Sequence, residues 1–439
     1  MLKILLLAKF KFLSTLPVSF ARKHLHNLIK ESVLALPTSS NVNHKKQLLV
    51  DVSVIIGIDS RTGIQRVVRA ILLYLLKNPP TGINICPIYC DRKHAYQYAS
   101  YDFDSTHFRL SRTEETRVVN VEAGDIFLGL DLAAHLLPFR AAELAQWKVR
   151  GVKIHMVIYD LLPLLHPHWF NPKTTRNFHR WLKTVVIYSD SIICISNVVK
   201  LEVNVWLARQ YRLNYDSIPV STISLGANIK ETAPSLGLPE NVNELMAALT
   251  SRLCILMVGT IEPRKGHTQV LDIFNEIWLS GQEVNLVIVG KPGWKTEALQ
   301  QSLRIATKKQ KKLFWLESVS DEFLELLYAG SDGVLVASYA EGYGLPLVEA
   351  LTYGKSVLAR DISVFREIAA GDTRFFPDKS KDDMLRAVKD WLHYLTSKNA
   401  VVTSAKVNAL TWKETCDELI KILENDIENV QLDNAILKY

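Results

Sequence analysis

No apolar run reaches the roughly 18 uninterrupted residues of a spanning helix. The leucine-rich stretch at 5–8 is soon broken by Lys9 and Lys11. A secretory leader with a clean apolar region and a small-residue cleavage site is missing as well, so the expectation is a cytoplasmic chain. Cysteine is scarce. Cys86, Cys90, Cys194, Cys254 and Cys416 are odd in number, form no CxxC pair and lie mostly in apolar runs. That pattern excludes a disulfide framework or a zinc ribbon and predicts buried thiols in a reducing compartment. Low-complexity tracts and short-period repeats are absent, which excludes solenoids and linker-like chains. A Walker A pattern is absent too, so a nucleotide triphosphate cleaved in that manner is not expected. The excess of basic over acidic residues is modest, a net charge of +7. Phosphorylated ligands or anionic lipid would be drawn to such a chain, whereas a nucleic-acid partner calls for more.

What is present is a packed protein of two to three domains: 439 residues, 48% hydrophobic and 22% charged. Residues 1–46 form a basic amphipathic N-terminal segment. Its first 30 residues carry Lys3, Lys9, Lys11, Arg22, Lys23 and Lys30 without a single acid. Two readings stand side by side, a segment lying on an anionic membrane face and an amphipathic helix packed on the body.

Beyond it, short apolar runs alternate with helical periodicity, the rhythm of βαβ units around parallel sheets. Runs at 48–56, 83–89, 125–130, 152–159, 191–196 and 222–226 predict a six-stranded sheet in a Rossmann-like N-terminal domain over 47–231. A proline- and glycine-bearing stretch reads as a linker at 232–249. The rhythm then restarts at 253–259, 284–290, 312–316, 333–337 and 356–360, predicting a second Rossmann-like domain over 250–425 and a C-terminal tail over 426–439. The fold class is α/β, two parallel-sheet domains whose strand ends would face an interdomain cleft able to take two substrates.

Two motifs carry chemistry. Gly259 closes the first strand of the second half, and Arg264 and Lys265 precede a helical pattern starting near Thr268. Cationic side chains beside a helix N-terminus suit a diphosphate, joining a guanidinium fork and an ammonium to free amides and the positive end of the helix dipole. A solvated Arg–Lys pair capping a loop is the plainer reading. The second motif follows the strand at 333–337. Glu341 stands in a glycine-rich turn with Gly342, Tyr343 and Gly344, and Glu349 lies eight residues on, along a helix opening near Leu345 and Pro346. The glycines permit close approach of a ligand, and two carboxylates so placed can accept hydrogen bonds from sugar hydroxyls, one from a hexose and one from a ribose. An exposed helical carboxylate would be ordinary at 349, but its neighbours Leu345, Leu347, Val348, Ala350 and Leu351 are apolar.

The Glu341-x7-Glu349 pair and the Arg264–Lys265 pair together resemble the motifs of retaining glycosyltransferases of the GT-B fold, specifically glycosyltransferase family 4. The likeness is strong over 250–380 and continuous but weaker over 48–230. Residues 51–69 resemble the opening of a bacterial polysaccharide branch rich in mannosyl- and rhamnosyltransferases. The resemblance implies transfer of a hexose, with mannose from GDP-mannose as the best expectation, to a saccharide acceptor that is lipid-linked, in O-antigen or capsule synthesis at the inner membrane face. It implies that Arg264 and Lys265 neutralise the departing diphosphate without a metal or other cofactor. Glu341 and Glu349 would hold the hexose and ribose hydroxyls, with backbone amides from Gly342, Tyr343, Gly344 and Leu345. Gly63 would form the loop under the donor's phosphates, and Gly259 would join the donor site as the glycine that lets the chain turn sharply. Arg66 would point into the cleft or remain a surface arginine on the first helical turn. Asp160 matches the acid of the family's His-Asp strand end, while Tyr159 stands where relatives commonly have His, which puts a His-assisted role in doubt. His166 and His168 read as polar loop residues, and Ser196 and Gly226 match later cleft segments. A nucleotide-sugar 2-epimerase and a non-catalytic saccharide-binding protein on the same fold are the competing classes.

Overall fold

The computed structural model describes residues 13, 15–33, 45–103, 108–113, 117–377, 380–397 and 410–436. It divides into two units. The first comprises residues 1–165, 172–225 and 412–439, and the second 166–171 and 226–411.

The first unit is built on an eight-stranded sheet. Its strands are β1 (Lys46–Asp51), β2 (Ile83–Tyr89), β3 (Gln97–Phe103), β4 (Phe108–Arg112), β5 (Ile126–Gly129), β6 (Lys153–Ile158), β7 (Ser191–Cys194) and β8 (Val220–Thr222), in the order β4-β3-β2-β1-β5-β6-β7-β8. Six run parallel; β1, β2, β5, β6 and β7 are largely buried apolar runs, while β8 (ValSerThr) is only half-buried. β3 and β4 form an antiparallel hairpin on the β2 edge. The six-stranded expectation missed this hairpin because β3 is polar and half exposed (GlnTyrAlaSerTyrAspPhe), without the apolar signature of a buried strand. β8 also lies two residues ahead of the run at 222–226 that predicted it.

Helix Val18–Val33 buries Val18, Ala21, Leu25 and Leu28 in the core of this unit, against helices Ala141–Val149 and Pro172–Tyr188. The spacing is that of one helical face. Arg22 donates to the carbonyls of Val186, Ser189 and Ser217. Of the two readings of the basic segment, the packed helix therefore describes residues 18–30, and Arg22 is a structural cation; Lys3, Lys9 and Lys11 lie outside the described residues. No described helix is long and apolar enough to cross a membrane.

The second unit has a six-stranded parallel sheet, β9 (Leu253–Val258), β10 (Val284–Val289), β11 (Leu313–Leu316), β12 (Gly333–Val336), β13 (Ser356–Arg360) and β14 (Thr373–Phe376), ordered β11-β10-β9-β12-β13-β14. This is the doubly wound order of nucleotide-binding folds, with its topological switch between β9 and β12. β14 was not expected, since ThrArgPhePhe is short and only its last residue is buried.

The units also divide at other places than the composition suggested. The proline-bearing stretch expected to be a free linker is bonded into the second unit, where Ser235 donates through its amide and its hydroxyl to Asp321. Helix Val242–Thr250 follows within the residues assigned to that linker. The chain from Trp412 onward, expected to finish the second domain, instead joins the first: helix Trp412–Ile436 packs along helix Gly63–Lys77, burying Trp412, Cys416, Leu419 and Leu423. The amide of Ser224 also donates to Glu418 at 2.8 Å. All five cysteines are buried and free.

Candidate active site

Gly259 follows β9 and turns the chain at φ 149°. A Cβ here would lie 3.3 Å from the Lys265 side chain, so glycine leaves room for that lysine to run back past the strand end. Pro263–Lys265 form one 3-10 turn, and Gly266 (φ 76°) then starts helix His267–Leu279 in a left-handed conformation that favours glycine. A Cβ on Gly266 would stand 2.4 Å from the carbonyl oxygen of Ala337, at the end of β12. This close approach joins the two motif loops. The amide of Tyr339 donates to the Arg264 carbonyl at 2.8 Å, fastening the loop after β12 to the loop after β9.

The charges converge there. Arg264 donates from one terminal nitrogen to Glu341 at 2.5 Å and from Nε to Glu262 at 2.9 Å. The Lys265 ammonium donates to the other oxygen of Glu341. All four side chains are nearly buried. Burial alone would push the Glu341 carboxyl up, but the charges of Arg264 and Lys265 overcome it and hold the group at about 2. Glu341 is therefore ionised at every ordinary pH, and the two cations sit in fixed positions beside a helix N-terminus.

Gly344, at φ 117°, opens helix Leu345–Thr352. A Cβ there would meet the Phe365 ring at 2.7 Å, so the turn is pressed flat on the body. Tyr343 is buried, as is Gly342. Glu349, only 2% exposed, accepts a hydrogen bond from the Tyr328 hydroxyl at 2.7 Å, in a helix otherwise packed with apolar side chains. The second unit thus assembles Gly259, Arg264, Lys265, Glu341, Gly342, Tyr343, Gly344, Leu345 and Glu349 on two adjoining loops and their helices.

Two participants carried no recognisable sequence signal. Arg360, at the end of β13, is fully buried, donates to the Ala337 carbonyl and Gln269, and lies 3.9 Å under the Tyr339 ring. It supports the loop that carries Glu341. His267 is buried beside Lys265, and burial pushes its ring down to about 3, so it is neutral.

The residues named in the first unit form no comparable cluster. Asp160 caps its own turn by accepting from the Leu162 amide. Its charge, added to burial, raises Glu202 on helix Asn197–Tyr211 to about 7. Glu202 was overlooked because one acid in a helical stretch reads as surface. Tyr159 is buried with its hydroxyl donated to the Leu130 carbonyl at 2.7 Å, a structural role. Gly63 is not part of a loop. It is the first residue of helix Gly63–Lys77, behind a capping box of Thr62 and Gln65, and Arg66 lies half-buried on that first turn. Arg69, one turn further, is buried and paired with Asp59. Ser196 caps helix Asn197–Tyr211 through the Val199 amide. Gly226 begins the second unit's main stretch. Among the described residues no group of three or more His, Cys, Asp or Glu side chains is placed to hold a metal ion.

Residues 247–407 match the family described as "Glycosyl transferases group 1". The second unit therefore carries a group 1 glycosyltransferase domain. Over 392 residues, 89% of its length, the chain is 39% identical to the serotype-specific mannosyltransferase WbdA of Escherichia coli, of which it spans 48%. It is 26% identical over 229 residues to the O-antigen chain mannosyltransferase RfbU of Salmonella typhimurium, covering 52% of this chain and 57% of that one. The chain spans about half the length of the WbdA relatives it matches. Two solved structures share the fold at low identity. The α,α-trehalose 6-phosphate synthase of Burkholderia multivorans has a TM-score of 0.59 at 13% identity, covering 90% of this chain and 98% of that one. Anabaena Alr3699/HepE in complex with UDP and glucose has a TM-score of 0.57 at 13% identity, covering 87% and 100%. The fold is thus GT-B, with its two parallel-sheet α/β units.

Proposed function

We propose that this chain is a retaining mannosyltransferase of bacterial surface-polysaccharide synthesis, moving mannose from GDP-mannose to a lipid-linked saccharide acceptor. The observation that carries the reading is the convergence of Arg264 and Lys265 on Glu341 at the start of helix His267–Leu279. The mannosyltransferase names of the relatives support the choice of sugar.

In this reading the two cations take the negative charge that builds on the departing diphosphate. Fixed charges in a dry site stabilise such a transition state by several kcal/mol, the role a divalent metal would otherwise fill, so transfer is proposed to be metal-independent. Glu341 turns from its cations toward the hydroxyls of the sugar, with the Gly342–Leu345 amides beside it. Glu349 takes the ribose hydroxyls, exchanging its Tyr328 partner or sharing it. The acceptor hydroxyl attacks the anomeric carbon from the face the diphosphate leaves, through an ion-pair-like transition state, its proton passing to the departing phosphate oxygen. Lys23 and Lys30, exposed on the outer side of helix Val18–Val33, are assigned to an anionic membrane surface.

The test incubates the full chain with labelled GDP-mannose and, separately, UDP-sugars, with and without octyl α-mannoside acceptors and with excess chelator. Labelled acceptor formed from GDP-mannose in the presence of chelator is the expected result. Epimerised free donor, or donor binding with no turnover, would replace the reading with an epimerase or a binding protein.

A further inference from the structure

Residues 166–171 belong to the second unit although the chain on both sides belongs to the first. The segment is pinned by its main chain. The Trp294 indole donates to the Trp169 carbonyl at 2.8 Å, the Lys295 ammonium donates to the His168 carbonyl at 2.7 Å, and Phe170 is buried against the Trp294 ring. Lys295 is one of few non-glycine residues with a left-handed backbone (φ 56°), a strain that persists only where surrounding contacts impose it. The loop bearing Trp294 and Lys295 is itself fixed to the Gly259–Lys265 loop. Ile261 donates to the Lys291 carbonyl, and the Thr296 hydroxyl donates to the Ile261 carbonyl at 2.8 Å.

What this anchoring holds up is a partly exposed set of rings. His166 stacks on Trp169 with centroids 4.3 Å apart and planes 25° from parallel, and Trp169 lies 6.4 Å from Tyr339 at 31°. Tyr339 is two residues from Glu341, and its amide is bonded to Arg264. Rings that serve only the core would be buried; here the backbone is tied down while His166, Trp169 and Tyr339 are each only partly buried.

We propose that Trp169, backed by His166 and Tyr339, is a stacking platform for a pyranose ring of the acceptor saccharide. The chemistry is that of an apolar sugar face on a flat, rigid indole, with the exposed His168 imidazole at the rim for hydroxyls. Through Tyr339 the platform adjoins the loop that carries Glu341, where an acceptor residue would receive a sugar held by that carboxylate. The inference rests on the proposed transferase reading and adds the residue that selects the acceptor.

The test measures transfer from GDP-mannose to octyl α-mannosides of one to three residues, GDP affinity by calorimetry, and melting temperature, for the parent, Trp169→Ala and Trp169→Phe. Loss of a stacking ring corresponds to about tenfold in affinity. The expected result is an acceptor KM raised about tenfold in W169A and largely restored in W169F, with GDP affinity within about twofold of the parent. An unchanged acceptor KM in W169A overturns the platform, as does a rise matched by an equal loss of GDP affinity. A parent that binds GDP yet transfers to none of these acceptors overturns the transferase reading instead. The platform is then judged by indole fluorescence on titration with mannotriose: quenching in the parent and not in W169F sustains it, and no quenching in the parent ends it.

Discussion

Replacing Glu341 by Gln should make the protein less stable and its grip on nucleotide tighter. The two cations Arg264 and Lys265 are balanced by the two carboxylates Glu341 and Glu262. Glu341 lies at about 2 against an ordinary 4.5, and it is only 10% exposed. Each pKa unit is worth about 1.4 kcal/mol, so its ionisation contributes roughly 3 kcal/mol to folding at neutral pH. Because the folded value is depressed, that contribution is complete above about pH 4.5 and is lost as pH falls toward about 2. E341Q should therefore lower the melting temperature by roughly 6–12 °C at neutral pH, taking about 2–4 °C per kcal/mol for a domain of this size. It should also lose the parent's drop in stability between pH 4.5 and 2. On the proposed reading a diphosphate competes with Glu341 for the same two donors. One unit charge at about 6 Å, with an effective dielectric near 20, is worth up to about 3 kcal/mol, and solvent admitted by the ligand reduces this to about 1–2. Calorimetry should then give GDP binding about five- to thirtyfold tighter in E341Q, together with a loss of transfer. GDP binding equal to or weaker than the parent's would refute the idea that this carboxylate occupies the phosphate donors.

Gly266→Ala should cost roughly 2–4 kcal/mol, because its Cβ would meet the Ala337 carbonyl oxygen at 2.4 Å on a backbone at φ 76°; a melting temperature within about a degree of the parent's would show that the two loops are not so tightly joined. Asp51 and Asp131 in the first unit are raised, chiefly by burial, to about 6 and about 7. Their folded values lie above the ordinary 3.8, so the stability they lend is complete below about pH 3.8 and is lost as pH rises from there to about 6 and 7. Asp131→Asn keeps an oxygen for the Val54 and Ile55 amides and removes the charge; it should flatten the decline in melting temperature between about pH 4 and pH 7, and an unaltered slope would refute the assignment. Glu202→Gln should remove a limb near pH 7 from the pH profile of kcat/KM, provided the Asp160–Glu202 pair meets substrate; a profile superimposable on the parent's would leave Glu202 a structural acid.

The parallel strands were legible because burial on both faces writes itself as continuous apolar runs such as ValAsnLeuValIleVal in β10, and the motif loops because glycine, proline and charge stand where those runs end. The misses have physical causes. β3 and β4 pair at an exposed edge, where burial imposes no pattern. The homes of residues 166–171 and 412–439 depend on contacts with partners far along the sequence, which a local window cannot contain. Gly63 was misplaced because a glycine after a strand suits a loop and a helix start equally, and only the Thr62–Gln65 capping box decides. Arg360 was hidden for a related reason: an arginine at the end of a strand reads as exposed, and its burial depends on the stacked rings of Tyr339 and Phe376.

The loops after β9 and β12 are separate in sequence but share one set of constraints. The Gly266–Ala337 approach, the Tyr339 amide on the Arg264 carbonyl and the pairs from Glu341 to both cations all cross between them. The loop after β10 is tied to the same unit through Ile261 and holds Trp169 in turn. In the proposed site, a displacement of Glu341 by incoming phosphate is resisted by its cations, while the Tyr339–Arg360 stack supports the loop that carries it. On the proposed reading the site can release its internal counter-ion to a diphosphate while these ties keep the two cations in place, which is the condition for charge stabilisation without reorganisation.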